Sequence, residues 1–161
     1  MKPNARKLNF LESIPVVSIA VDDNDLAKRC KFNFSYFVSQ PQAGQEFSDW
    51  THEELIDLCE KLKDFSRESL EHWFKVRSGM GGNNILSKYS CFPAHSKFTH
   101  PKNVPFQAVW TRFRLDRGTR LIGFTLPEEF RNVDHPCGHK FDCNTFYVVF
   151  LDKEHEFYPT K

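Results

Sequence analysis

Long apolar runs are missing from this sequence of 161 residues. No stretch approaches the roughly 20 apolar residues that cross a bilayer, and residues 1–15, MKPNARKLNFLESIP, contain too short an apolar run for a secretory signal. An excess of charge of one sign is missing as well, because 22 Lys and Arg stand against 21 Asp and Glu. We therefore expect a cytoplasmic protein without a membrane partner, in which nucleic-acid binding would need a local basic patch.

Two further signatures are absent. The glycine-rich stretch 78–84, SGMGGNN, lacks the lysine and the serine or threonine of a phosphate-binding P-loop, which predicts a flexible connector. The five cysteines are an odd number in a chain without an export signal, which indicates reduced thiols. The length predicts one domain over 1–161, with an N-terminal extension at 1–30 and an irregular insertion at 78–105.

The C-terminal stretch carries the strongest strand pattern. Residues 144–161 read NTFYVVFLDKEHEFYPTK, and 146–151 are apolar on both faces, which is typical of a central strand covered on two sides. The strand then runs into the charged residues 152–156. Polar side chains at the end of a buried strand are well placed to form a catalytic site.

Earlier in the chain, the pattern predicts one strand and two helices. Residues 31–38, KFNFSYFV, alternate in the manner of a strand. Thr51 and Glu54 form a capping box, and an amphipathic helix follows. A second helix is predicted to begin at Ser66 and to end near Arg77.

A β-hairpin is predicted over residues 106–126. With a two-residue turn at Arg117 and Gly118, Arg114 faces Leu121 and Phe113 faces Ile122. The predicted inner face carries Val109, Phe113, Leu115, Ile122 and Phe124, with Arg120 near the end of the hairpin. The opposite face carries Trp110, Arg112 and Arg114 as one exposed surface.

These elements assemble into an α+β domain. We expect an antiparallel sheet of about four strands, with two helices packed on one face and the other face at least partly open. The order is strand, helix, helix, strand, strand, strand, with the N-terminal extension and the inserted loop added to it.

This order, the hairpin sequence RFRLDRGTRLIGF and the last strand FYVVFLDKEHEFY resemble the RelE/ParE superfamily of bacterial toxins over residues 31–161. Many members are ribosome-dependent messenger-RNA endonucleases. The resemblance implies RNA, an antitoxin and the ribosome as partners, and it implies basic residues on the hairpin with a histidine or tyrosine after the last strand. The corresponding positions here are Arg114, Arg120, His155 and Tyr158.

The chemistry of such a reaction can be stated from the residues. Attack of an RNA 2′-hydroxyl on the adjacent phosphate needs a base, an acid for the leaving oxygen and cations for the phosphate, and no metal is obligatory. A histidine such as His155 exchanges protons near neutral pH, and Tyr158 can supply a hydrogen bond. The candidates for holding phosphate are Arg112, Arg114, Arg117 and Lys153.

A structural interpretation competes at each of these positions. A histidine in a charged turn can be merely solvated, a hairpin arginine can pair with Asp116 or Glu156, and Tyr158 can anchor the C-terminus. The alternatives to an enzyme are a module that binds single-stranded RNA on the face of Trp110, Arg112 and Arg114 without catalysis, and an immunity or regulatory protein that binds another protein there.

A cluster of soft ligands lies between the hairpin and the last strand. His135, Cys137, His139 and Cys143 fall within nine residues, and their side chains are ligand types that zinc prefers. The spacing is tighter than in a zinc finger, so a polar loop with incidental cysteines is the main interpretation and no cofactor is expected. Structural zinc, with Cys91 or His95 as a replacement ligand, is the alternative.

Overall fold

The sheet is built around strand β5 (Thr145–Asp152). The computed structural model describes residues 4–15, 17–79 and 82–159. Within these ranges an open, mixed sheet of five strands has the order β1-β5-β4-β3-β2. The other four strands are β1 (Lys31–Asn33), β2 (Leu86–Lys88), β3 (Val109–Arg114) and β4 (Arg120–Thr125). The fold is therefore α+β, with the predicted central strand buried between β1 and β4.

The predicted sheet of about four antiparallel strands is wrong in two respects. β1 runs parallel to β5, with Lys31 opposite Thr145, and such a pair needs a long crossover connection, which residues 34–144 provide here. The fifth strand is β2, which pairs with β3 inside the segment 78–105 that was expected to be irregular. The first strand is also shorter than predicted, since it ends at Asn33.

Three α-helices lie in the described ranges, and none of them is long and apolar enough to cross a membrane. They are α1 (Ala5–Glu12), α2 (His52–Phe65) and α3 (Leu70–Lys75). The capping box at the start of α2 is confirmed, because the Thr51 hydroxyl accepts the Glu54 amide and the Glu54 carboxylate accepts the Thr51 amide. Ser66 is the C-cap of α2, and the N-cap of α3 is Ser69, so the second helix begins later than predicted.

One face of the sheet packs against α2 and α3. Leu58 and Phe65 of α2 and Leu70 of α3 are buried in a cluster with sheet residues such as Phe113. The rings of Phe65 and Phe113 are stacked at 4.5 Å. This is the predicted helix-covered face, and burial of such side chains stabilises the fold by about 1.5–3 kcal/mol each.

The other face is also covered, which contradicts the expectation of an open surface. A second buried cluster contains Trp110 and Phe150 from the sheet and Phe98, Val104 and Phe157 from segments without regular structure. Phe98 lies 4.4 Å from Phe150 between ring centroids. The apolar side chains that cover this face come from loops. Because loop residues have no regular spacing in the sequence, the burial of this face could not be predicted.

The register of the hairpin differs from the prediction by one residue. Residues 116–118 form a three-residue loop, closed by the Leu115 amide, which donates to the Thr119 carbonyl at 3.1 Å. The carboxylate of Asp116 accepts the amides of Gly118 and Thr119, both at 2.7 Å, and so fixes this loop.

This shift reverses the faces of β4. A one-residue slip moves every side chain of a strand to the other face. Arg114 is therefore opposite Arg120, and Phe113 is opposite Leu121. Ile122 and Phe124, which were predicted to face the helices, lie in the cluster of the opposite face.

Candidate functional site: an arginine-lined cleft

A cleft of about 380 Å³ opens where β5 ends and β4 begins. We call it the arginine cleft. Its wall contains Asn83, Tyr89, Arg112, Arg114, Arg117, Arg120, Asp152, His155 and Tyr158. Six of these nine residues are candidates that the sequence singled out, from two segments of the chain.

The hairpin supplies the positive charge of the cleft. Arg112 and Arg114 alternate on β3, so their side chains share a face, and the observed register adds Arg120 to that face. Arg117 comes from the loop that joins the two strands. The one-residue correction in register therefore explains why Arg120 lies with Arg112 and Arg114.

No salt bridge within the described ranges involves any of these four arginines. The two carboxylates that could have neutralised them are engaged elsewhere. Asp116 caps the hairpin loop, and Glu156 forms a salt bridge with Lys97 at 2.7 Å. The structural interpretation of the arginines as partners of these two carboxylates is therefore wrong.

Two guanidinium donors in the cleft lack a partner. Nη1 of Arg112 and Nε of Arg114 are buried, and neither makes a hydrogen bond to the described part of the chain. A buried donor without an acceptor costs about 1–3 kcal/mol, and more when the group is charged. An anion that reached these atoms would remove part of that cost, so the cleft favours a ligand with several acceptor oxygens.

Arg120 has a different role from its neighbours. It is 4% exposed. Its Nη1 donates to the carbonyls of Asp116 and Thr119, at 2.9 and 2.8 Å, and its Nη2 donates to the Arg117 carbonyl at 3.2 Å. Burial, with the nearby charges of Arg112 and Arg114, lowers the pKa of Arg120 to about 10. Arg120 therefore keeps its charge at neutral pH while it holds the hairpin loop in place.

Asp152 shapes the turn that presents His155. Its carboxylate accepts the amides of Glu156 and Phe157 at 2.9 and 3.0 Å, and the side chain of Phe157 is fully buried below the turn. Burial raises the pKa of Asp152 above its usual range, although these amides oppose the shift. His155 adopts a left-handed backbone with φ of 59°. That conformation is strained for a residue with a side chain, and such strain is concentrated at functional sites.

Two tyrosines form the edge of the cleft. Tyr158 is 54% exposed and its ring stacks on that of Tyr89, with 5.7 Å between centroids and 25° between planes. Tyr89 is half-buried against Phe157, and burial raises the pKa of its phenol to about 12. Tyr89 therefore stays protonated at neutral pH and can donate a hydrogen bond.

Two of the predicted RNA-binding residues lie outside the cleft. Trp110 is 4% exposed and its ring is parallel to that of Phe150, so the prediction of an exposed stacking surface at Trp110 is wrong. Lys153 forms a salt bridge with Glu54 and lies 5.6 Å above the centre of the Trp50 ring. It is therefore turned towards α2 and away from the arginines.

A second cleft, of about 390 Å³, lies on the α2 side of the hairpin loop. We call it the acidic cleft. Its wall contains the acidic residues Glu54, Asp57, Glu60, Asp64 and Asp116, and the basic residues Lys61 and Lys153. The acidic cleft is lined mainly by acidic side chains and the arginine cleft mainly by basic ones. The chain as a whole is nearly neutral, so its net charge does not reveal that the two signs are concentrated in different clefts.

The loop between the hairpin and β5 shows no metal-binding arrangement. No group of three or more possible metal ligands occurs among residues 4–15, 17–79 and 82–159. His135 packs edge-on against Phe141, while the Cys143 thiol donates to the Pro127 carbonyl at 3.4 Å. The residues His135, Cys137, His139 and Cys143 therefore do not form a site in this conformation.

Three residues of the arginine cleft were not anticipated as functional: Asn83, Tyr89 and Asp152. Tyr89 follows β2, a strand that the sequence pattern did not reveal. Asp152 was visible as the first charged residue after the apolar run, and its burial is the part that the sequence did not indicate.

Comparison of the chain with protein-family models, with curated proteins and with solved structures gave no match. The inference of function therefore depends on the residues and on their geometry.

Proposed function

We propose that this protein is a metal-independent endoribonuclease and that the arginine cleft is its active site. The observation that carries the proposal is the convergence of Arg112, Arg114 and Arg117 with His155 and Tyr158 in one cleft. These groups combine cationic donors for a phosphate with side chains that can exchange or donate a proton.

The charge of the cleft favours a phosphodiester as its ligand. Arginine presents several donors in a rigid fork that matches phosphate oxygens. Arg112 and Arg114 both line the cleft, and one donor of each has no hydrogen-bond partner among the described residues. Among the described residues Asp152 is the one carboxylate in the wall, and because its oxygens accept backbone amides it competes weakly for the arginines.

In the proposed reaction, the 2′-hydroxyl of the RNA attacks the adjacent phosphorus. A base takes the hydroxyl proton, the bond from phosphorus to the 5′-oxygen breaks, and an acid protonates that oxygen. The products are a 2′,3′-cyclic phosphate and a 5′-hydroxyl. His155 exchanges one of these protons, Tyr158 donates a hydrogen bond, and the arginines stabilise the charge that develops on the phosphate oxygens.

We further propose that the protein is a RelE-like toxin of a bacterial toxin–antitoxin or phage-defence pair. Within the order strand, helix, helix, strand, hairpin, last strand, the features that support this class are the two helices before the hairpin and the last strand after it. So does the position of the basic residues on the hairpin and of His155 after the last strand. The implied substrate is messenger RNA on the ribosome, the implied partner is an antitoxin, and the implied location is the cytoplasm.

The proposal is tested by controlled expression in a bacterial host. Wild type is compared with the double variant His155→Asn/Arg114→Ala, and growth and messenger-RNA integrity are followed together. Asparagine is chosen because it tolerates the left-handed backbone of His155 better than most residues. We expect wild type to arrest growth and to create new RNA ends with 2′,3′-cyclic phosphates, and the folded variant to do neither.

A second candidate function is binding of single-stranded RNA without cleavage. The unpartnered arginine donors favour it as much as they favour catalysis. Intact RNA in cells that contain soluble wild-type protein, together with RNA binding in vitro that does not require His155, would select this function and reject the endonuclease. A protein-binding module anchored by Trp110 is less well supported, because that ring is buried.

A further inference from the structure

A third cleft of about 470 Å³ adjoins the arginine cleft and shares Tyr89 and Tyr158 with it. We call it the 90–95 cleft. Its remaining wall consists of Lys88, Ser90, Cys91, Pro93, Ala94, His95 and Pro159. Because both clefts contain the same two tyrosines, a ligand in one can continue into the other across the rings.

The exposed ring of Tyr158 is a fixed platform between the two clefts. Tyr158 stacks on Tyr89, and Tyr89 is held by contact with the buried Phe157 at 5.2 Å and by its amide, which donates to the Trp110 carbonyl at 2.8 Å. A ring that is supported from behind loses little freedom when a second ring stacks on it. Aromatic side chains of this kind bind the bases of single strands with little sequence preference.

The chemistry of the 90–95 cleft differs from that of the arginine cleft. Among the described residues of its wall none is acidic, and Lys88 is the only lysine or arginine; its ammonium lies 4.7 Å from the centre of the Phe74 ring. Ser90 and His95 add a hydroxyl and an imidazole to this wall, both of which can form hydrogen bonds. A cationic cleft beside a largely neutral cleft of similar size matches a phosphate followed by a base.

The wall of the 90–95 cleft is anchored to the turn that carries His155. The Lys97 amide donates to the Glu156 carbonyl at 3.0 Å, and the Lys97 ammonium pairs with the Glu156 carboxylate. Phe98, one residue further on, is buried. This inserted segment is therefore fixed relative to the candidate catalytic residues.

We infer that the 90–95 cleft is a second nucleotide subsite, so that the ligand is a single strand of RNA that crosses Tyr158 between the two clefts. This inference rests on the proposed function of the arginine cleft and adds the path of the substrate. It assigns a function to residues 90–95 of the inserted segment 78–105, which are absent from the wall of the arginine cleft.

The test is the binding of a fluorescent 2′-O-methyl RNA hexamer, which cannot attack its own phosphates, measured by anisotropy with inorganic phosphate as a competitor. Ala94→Trp places a large ring in the 90–95 cleft, and Ala20→Trp adds the same ring at an exposed position outside both clefts. We expect Ala94→Trp to weaken hexamer binding about tenfold, as expected for the loss of one stacked base, and Ala20→Trp to leave it unchanged. Competition by phosphate should persist in both variants.

A second pair of variants tests the platform itself. Tyr158→Phe keeps the stacking ring and Tyr158→Leu removes it, so Tyr158→Leu should bind the hexamer more weakly than Tyr158→Phe does. Hexamer binding that is equal in wild type and Ala94→Trp would overturn the second subsite and leave the proposed function intact. Failure of wild type to bind the hexamer at low salt would overturn both.

Discussion

Both faces of the sheet are buried, but they are covered in different ways. Helices α2 and α3 cover one face, whose core includes the fully buried Phe113. Irregular segments cover the other, whose core includes Phe150, 1% exposed. The arginine cleft lies on the face covered by segments, at the end of the sheet where β4 begins. Binding sites are commonly placed on loops held by a rigid scaffold, and this face provides both.

The two faces of the sheet differ in charge as well as in the elements that cover them. The acidic cleft lies against α2, and the arginine cleft lies on the other side of the hairpin loop. No salt bridge among the described residues joins a carboxylate of α2 to Arg112 or Arg114, and the alternation of β3 puts these two side chains on the face opposite to Phe113. The comparison therefore predicts that changes on the segment-covered face alter function and that equivalent changes on the helix face alter stability alone.

The largest expected effect is the loss of catalysis on removal of the imidazole of His155. His155→Asn should lower the rate of RNA cleavage by about 10²–10⁴-fold, the usual contribution of a general acid or base. The rate is measured on a labelled messenger RNA bound to ribosomes, under single-turnover conditions. His52→Asn makes the same change at an exposed position on α2 and should cleave at the wild-type rate. A cleavage rate for His155→Asn within twofold of wild type would remove His155 from the mechanism.

The next effect concerns the cores of the two faces. Phe113→Ala and Phe150→Ala should each lower the free energy of unfolding by about 3–5 kcal/mol, because each ring is buried in an aromatic cluster. Phe106→Ala, at a residue that is 90% exposed, is the control and should have little effect. Urea denaturation measures all three. If Phe150→Ala cost no more than Phe106→Ala, the segment-covered face would not be a true core.

A smaller effect is expected at the bulge between β4 and β5, where the register shifts beside Gly123. A Cβ atom there would lie 2.1 Å from the Tyr147 carbonyl oxygen, so Gly123→Ala should lower the free energy of unfolding by about 1–3 kcal/mol. Gly118→Ala, whose added carbon would lie no closer than 3.5 Å to the Lys153 carbonyl, should be neutral or slightly stabilising. Equal stability of the two variants in thermal unfolding would contradict the close strand contact at Gly123.

The smallest expected effect is the contribution of Tyr89 to the pH dependence of the free energy of unfolding. Its pKa is raised to about 12 in the folded protein, while a tyrosine in the unfolded chain ionises near pH 10. The unfolded state therefore releases its proton first, so stability falls as the pH rises from about 10 towards 12. Tyr89→Phe should reduce this fall by up to about 1 kcal/mol between pH 10 and 11, in urea unfolding at the two pH values. An unchanged fall would show that Tyr89 is not buried.

The helix face could be predicted from the sequence, and the other face largely could not. The capping box at Thr51 and the apolar run of β5 are local signals, and both are confirmed. The second face is covered by isolated apolar residues such as Phe98 and Phe157, which do not recur at helical or strand spacing in the sequence. The parallel pairing of β1 with β5 depends on contacts between residues more than 100 positions apart, which composition and spacing do not encode.

The candidate site was anticipated in part, for physical reasons. The types of its residues and their position on the hairpin and after the last strand were visible, and the cleft brings six of them together. The burial of Trp110 was not visible, because it results from the irregular segments that cover its face. The position of Arg120 was not visible either, because it results from the closure of the hairpin. The carboxylate of Asp116 accepts two backbone amides and so stabilises a three-residue loop where a two-residue turn was predicted. With this loop, Arg120 lies on the face opposite to the predicted one.

The central claim is that RNA phosphates bind on the arginine face of the hairpin, and the salt dependence of RNA binding tests it most directly. The affinity for a 2′-O-methyl RNA hexamer is measured over a range of salt concentrations for wild type, for Arg112→Gln/Arg114→Gln and for Lys63→Gln/Lys75→Gln, which removes two exposed charges from α2 and α3. We expect the arginine variant to bind more weakly and the slope of log affinity against log salt to fall by about 0.7 for each phosphate that the variant no longer neutralises. The lysine variant should match wild type. Equal slopes for the arginine variant and wild type would contradict the account.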